Sequence, residues 1–514
     1  MGALKDAVDT VEKSQLRSCE KTVNQMKQLL KAGMLHLESL FRKWLSSVSN
    51  PVDPDDILDS ETLEPAGASG SLKQLSQLST YIAASEQEIG YSVDFTKPYI
   101  EIRSQYLLKS LHPLSQAVQS SERHQGSSSY EKGSSELLRY MECVARMLQA
   151  EQEFAAKILS NASQRAAALR GSIVPAMNEF VTAGRQVNAL AKRLGFYDAV
   201  FVLDILEKYE RDCASIMQQL SKDMDVSECN EMIGAFKTTT LRNFYDFMED
   251  VKGKKENNAF MNLSSDGTVH ETTSNTLNYL KRLYLWRDTV EPLLIALGEG
   301  GWNHAVTYAN FPDRGYGESP QGTALIKSFF ADALDQLTIS LQTRSRGYKK
   351  PTLATIFLLN NYNHILRQIR SPPLSSIFDD SSEMQFSKLV KKQLDTYQES
   401  WKPCVENLMD VTYVRGGAIK NSLGNGERQV VKERFKNFNT EFDEIWRAQT
   451  TYAVPDPELR SQVIRDVKNV LVPMYGRFLD KYQSTEFTKN PAKYIKYDKD
   501  KLDKMIGHLF EPTA

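Results

Sequence analysis

Residues 8–44 read VDTVEKSQLRSCEKTVNQMKQLLKAGMLHLESLFRKW, and Val8, Val11, Val23, Met26, Leu30, Met34, Leu37, Phe41 and Trp44 recur mainly at steps of three, four and seven. Such steps return to one side of a 3.6-residue helix, so the stretch predicts a long opening helix, or a helical hairpin broken between Val11 and Val23. The same period recurs downstream. Leu137, Met141, Val144 and Leu148 share a face, as do Phe435, Phe438, Phe442, Ile445 and Trp446, and Asp456-Pro457 opens a segment carrying Val463, Ile464, Val467, Val470 and Leu471. Strand-type alternation of valine and isoleucine is scarce. The fold class expected is all-α, an elongated rod of consecutive antiparallel helical bundles.

Interruptions divide the pattern. With 514 residues the chain is too long for one hydrophobic core. SNPVDPDDILDSETLEPAGASGS at 49–71 favours a loop in which the Ile-Leu-Asp at 57–59 can dock on a helix, and helices are expected to resume near 73. The expected units are a first bundle at 1–118, a flexible Ser/Gly-rich linker at 119–135, a second bundle at 136–297, a Gly-rich loop at 298–322, a third bundle at 323–414 and a C-terminal bundle at 415–514.

Charge and composition narrow the function. A formal net charge of −2 gives no global field for nucleic acid, so any anion site must be local. No run of 18 apolar residues is present to span a bilayer. The N-terminus lacks a signal-peptide apolar core, and Gly2 is followed at position 6 by Asp, where myristoylation favours Ser or Thr. Cys19, Cys143, Cys213, Cys229 and Cys404 are scattered and odd in number, as expected of reduced thiols in cytosol, where the Asn161 and Asn262 glycan sequons would meet no transferase.

No catalytic motif is complete. His270-Glu271 lacks the second histidine of HExxH because position 274 is Ser, which leaves His270 to order a helix start or loop, and His364 is expected to pack between helices. The glycines near 298 and 424 match neither GxGxxG nor a P-loop spacing. No catalytic residues, metal ligands or cofactor are assigned, and the chain is not expected to be an enzyme.

The C-terminus is different. FTKNPAKYIKYDKDKLDKMIGHLFEPTA, residues 487–514, carries Lys489, Lys493 and Lys496 without an acidic residue before Asp498. Asn490-Pro491 predicts a helix start that would place Lys493 and Lys496 on one face, and Leu502, Met505, Ile506, Leu509 and Phe510 form an apolar stripe to anchor that tip. A solvated surface face is the alternative reading of the lysines. Tyr494 and Tyr497 are expected to pack, with resting at a headgroup surface the other possibility.

FTKNPAKYIKY, with KERFKNFN at 432–439, IFLLNNYNHIL at 356–366 and SDGTVHETTSN at 265–275, resembles the family of the 70-kilodalton exocyst subunit, in that family's order. The resemblance implies a helical rod that tethers secretory vesicles at the inner face of the plasma membrane as a cytoplasmic, peripheral protein, together with other exocyst subunits. It implies phosphatidylinositol 4,5-bisphosphate as ligand, with Lys493 and Lys496 matching headgroup-binding lysines and Lys432 and Arg434 a second basic spot. Lys489, Asn490 and Pro491 match a segment associated with the actin-nucleating complex, and a Rho-family GTPase is a further implied partner. The opening helix matches a point after the family's N-terminal coiled-coil segment of roughly a hundred residues, so a shortened N-terminus is expected. The alternative function is a soluble helical scaffold that binds proteins only.

Overall fold

A computed structural model of the chain describes residues 2–14, 20–59, 68–89, 95–121, 130–222, 224–253, 263–304, 320–409, 424–483 and 485–511. Residues 122–129 of the linker expected at 119–135, the centre of the Gly-rich loop at 298–322, Cys19 and Asn262 lie outside these residues. Among the described residues the chain is helical and contains no strand. Contacts divide it into two compact units, one through Phe244 and one from Tyr245 onward.

The first unit opens with α1 (Gly2–Lys13) and α2 (Glu20–Ser47), which pack together through Val8, Val23 and Leu30. The helical-hairpin reading of residues 8–44 therefore applies. In α2 the buried side chains Val23, Leu30, Met34, Phe41 and Leu45 follow steps of seven and four. The stretch expected as a loop contains a short helix, α3 (Pro54–Asp59), because Ile57 is fully buried and the carbonyls of Ile57 and Leu58 accept from the Arg146 guanidinium at 3.2 and 2.9 Å. α4 (Ala68–Ile89) begins earlier than residue 73, and α5 (Thr96–Ser121), α6 (Glu136–Ile158) and α7 (Ala162–Leu194) form the centre of the unit. Asn161 caps α7 by accepting from the amides of Ser163 and Gln164 at 3.0 and 3.2 Å, which gives the sequon asparagine a structural task.

Between α5 and α6 a charge pair is fully enclosed. Arg103 Nε donates to Glu151 Oε2 at 3.0 Å, the Tyr99 hydroxyl donates to Glu151 Oε1 at 2.7 Å, and the guanidinium lies 4.2 Å from the Phe154 ring. Arg103 is 3% exposed and Glu151 0%. The unit continues through α8 (Phe201–Lys208), a π-helical turn at Tyr209–Cys213, α9 (Ala214–Leu220) and the start of α10 (Ser227–Val251).

The second unit holds α11 (Glu271–Tyr284), α12 (Arg287–Leu297), α13 (Pro320–Ser345), α14 (Pro351–Ile369), α15 (Asp380–Glu399), α16 (Lys402–Leu408), α17 (Asn425–Gln449), α18 (Pro457–Gln483) and α19 (Lys499–Gly507). The segments 265–275 and 356–366 meet here. His270 caps α11, its Nδ1 accepting from the Thr272 amide at 3.1 Å, and Asn361 Oδ1 accepts from the His270 amide at 2.9 Å and from the Thr273 hydroxyl at 2.6 Å. Asn360 Nδ2 donates to the carbonyls of Gly267 and Ala453 at 2.7 and 2.8 Å. Gly267 sits at φ +76°, where an added Cβ would come within 2.9 Å of Leu353 Cδ1, so this turn requires glycine.

Candidate functional site

The C-terminal lysines are positioned by aromatic packing against α17. Phe435, Phe438 and Phe442 bury the inner stripe of that helix, with Phe435 against Phe478 at 4.8 Å between ring centres, Phe438 against Tyr475 at 4.8 Å and Phe442 against Tyr497 at 5.2 Å. Phe487 stacks on Phe435 at 5.5 Å, so the chain leaving α18 is pinned at Phe487 and again at Tyr497. Packing is thus the role of Tyr497, and Tyr494 is half-buried beside Phe487 at 6.2 Å.

The helix expected to start at Asn490-Pro491 does not form. Pro491–Lys493 makes one 3₁₀ turn, Asn490 makes no side-chain cap, and the α-helix starts at Lys499 with Asp498 accepting from the Lys501 amide at 2.6 Å. Long-range partners occupy the intervening carbonyls: Asn439 Nδ2 donates to Tyr494 O at 2.8 Å and the Tyr475 hydroxyl to Tyr497 O at 2.6 Å. These bonds satisfy backbone acceptors that a helix would have used. Lys493 and Lys496 consequently do not share a helical face. The apolar stripe also ends differently, because α19 stops at Gly507; Leu509 and Phe510 are nevertheless 0% and 3% exposed, Phe510 with φ +66° and its ring 6.0 Å from Tyr397.

The basic residues fall into distinct environments. Lys493 is exposed, its ammonium 5.9 Å from the Tyr494 ring, with no carboxylate partner among the described residues. Lys496 is paired with Asp443, which also accepts from the Tyr497 hydroxyl. Partial burial pulls Asp443 upward, but donation from Lys496 and Tyr497 outweighs it and holds the carboxyl below its ordinary range. The Lys496 ammonium is raised chiefly by that hydrogen bond to Asp443.

Lys432 and Arg434 part company on α17. Seven residues separate Lys432 from Asn439, two helical turns that return to within about 20° and place Lys432 ~10 Å along the axis on the side that holds Tyr494. Arg434 is rotated away by about 140° from Asn439, and its guanidinium donates to the Met409 carbonyl. Lys489, Asn490 and Pro491 are exposed on the segment that leads into the 3₁₀ turn. Sequence reading missed Asp443 and Asn439; the one signal available was their position on the polar side of a helix whose aromatic stripe was evident.

Other chemistry is inward-facing. Cys143, Cys213, Cys229 and Cys404 are free and buried, and burial pushes their thiols up to about 11, 12, 11 and 12 respectively. Burial, followed by the charges of Lys281 and Arg367, lowers the half-buried His364. Among the described residues no group of three His, Cys, Asp or Glu is placed to hold a metal ion, and no helix is long and apolar enough to cross a membrane.

Stacked helices with buried polar ties and a basic C-terminal edge define an all-α helical-bundle protein. The family profile for the C-terminal part of the Exo70 exocyst complex component matches residues 134–508, and the profile for the Exo70 N-terminal part matches residues 1–47. The chain belongs to the Exo70 family of exocyst subunits. Its curated relatives include human exocyst complex component 7, 28% identical over 73% of this chain and 51% of the relative, and the exocyst complex protein EXO70 of Yarrowia lipolytica, 25% identical over 98% of this chain and 82% of the relative. The chain thus spans about half the length of the human relative. Two structures of Saccharomyces cerevisiae Exo70 share the fold, with TM-scores of 0.62 and 0.63 at 19% and 17% identity, each covering 99% of this chain and 93% of theirs.

Proposed function

We propose that this chain acts without a catalytic step, as an exocyst subunit that holds secretory vesicles at the inner face of the plasma membrane by pairing other exocyst subunits with anionic phosphoinositide. The observation carrying the lipid part is the exposure of Lys493 and its lack of a carboxylate partner among the described residues, next to Tyr494, whose carbonyl is held by Asn439 from the side of α17 that also bears the half-buried Lys432. Each cation near an anionic leaflet contributes about 1 kcal/mol, which makes such a patch a weak, salt-sensitive contact that gains strength through coupling to the other contacts of an assembly. Lys493 and Lys432 are the principal lipid contacts in this reading, while Lys496 contributes less because Asp443 neutralises it and Arg434 because it is turned toward Met409. Lys489, Asn490 and Pro491 remain a protein-binding edge for an actin-nucleating partner, and a Rho-family GTPase is a further proposed partner.

Flotation with vesicles containing phosphatidylinositol 4,5-bisphosphate tests the lipid reading. Wild type should float with these vesicles and not with neutral ones, and Lys493→Ala with Lys432→Ala should reduce binding by about thirtyfold, the equivalent of two such charges. Equal recovery of wild type and the folded double variant would favour a scaffold that binds proteins only.

A further inference from the structure

A second surface is formed by α15, α16 and α18. A groove of about 350 Å³ has Trp401, Val467 and Val470 among its lining residues. Val470 is 42% exposed although its neighbours Val467 and Leu471 are buried, so the apolar side of α18 continues into solvent here. Carboxylates line the same groove: Asp395 and Glu399 from α15 and Asp466 from α18. None of the three has a cation partner among the described residues, and Asp395 and Glu399, four apart on one helix, repel each other. The one lysine of the groove, Lys402, leans toward Glu406 at 4.0 Å.

Apolar lining beside an acidic rim selects its occupant by charge. A neutral or acidic segment would leave the carboxylates repelling one another at a partly desolvated rim, whereas lysines or arginines flanking apolar side chains would relieve that repulsion while the apolar groups cover Val470. We propose that this groove docks a basic amphipathic segment of a partner protein, the apolar residues seated on Val470, beneath which Trp401 and Val467 are buried, and the flanking cations against Asp395, Glu399 and Asp466. This surface is independent of the lipid reading, since its charge is opposite to that of the lysine-bearing edge.

The test uses the full chain and a fluorescein-labelled model peptide, KKLVKLLKK, with EELVELLEE as its charge-reversed control, read by anisotropy. Wild type should bind the basic peptide and not the acidic one. Val470→Glu and, separately, Asp395→Asn with Glu399→Gln should each weaken binding by about tenfold, with unchanged circular dichroism and melting because all three side chains are exposed. Failure of wild type to bind, or full affinity in either folded variant, overturns the proposal. A wild-type dimer in sedimentation velocity that Val470→Glu abolishes also overturns it, by placing a second copy of the chain in the groove.

Discussion

Asp443 and Lys496, 53 residues apart in sequence, form an ion pair at the C-terminal edge, and the same carboxylate receives the hydroxyl of Tyr497. One acidic residue on α17 therefore clips down the segment preceding α19 and removes a lysine from the free basic surface. Asp443→Asn keeps the shape and releases the ammonium. Vesicle binding should rise by about fivefold, since one freed cation contributes about 1 kcal/mol near an anionic leaflet. Unchanged binding would mean that Lys496 does not face the lipid even when freed.

Three of the basic residues should separate in single substitutions. Lys493→Ala should weaken vesicle binding by about fivefold and leave melting unchanged, whereas Lys496→Ala should cost about 1 kcal/mol of stability by leaving Asp443 with one donor fewer. Arg434→Ala should affect the tie to Met409 and not lipid affinity. Parallel flotation and thermal melting distinguish these outcomes.

Acid should erase the effect of Asp443. Because its folded value is depressed, the stabilisation is present above the unfolded carboxylate value near ~4 and is lost as pH falls through the folded value. The gap in melting temperature between wild type and Asp443→Asn should be constant from neutral pH to about 5 and close as pH falls below about 4. A gap that persists at the acid end would assign the effect to packing.

The turn after α19 is structural. Leu509→Ala or Phe510→Ala should destabilise the second unit by about 2–5 kcal/mol, because both side chains are almost completely enclosed. Denaturant unfolding followed by the fluorescence of the tryptophans would reveal the loss; unaltered midpoints would show that the turn is not held in solution.

In the first unit, Glu151→Gln should destabilise by about 3–5 kcal/mol by stranding the buried Arg103 charge. Adding Arg103→Met should recover much of that loss, since removing both charges also removes their desolvation cost. Hydrogen exchange in α5 and α6 reports the change locally.

Helix identity was legible from local pattern. The steps in residues 8–44 and the aromatic spacing of 435–446 specify which side of a helix becomes apolar, because a 3.6-residue repeat converts sequence spacing into direction. The helix at Pro457 was legible for the same reason, with Asp456 Oδ1 accepting from the Leu459 amide at 2.8 Å. The path of 487–498 was not, because Asn439 and Tyr475 bind its carbonyls from elsewhere in the chain and override the local preference for a helix at Asn490-Pro491. The abundance of lysine at that edge was written in the sequence. Which lysines remain available was decided by tertiary structure, since the charge of Lys496 is engaged by a carboxylate that only folding brings beside it, while Lys493 projects from a turn where no described carboxylate reaches it.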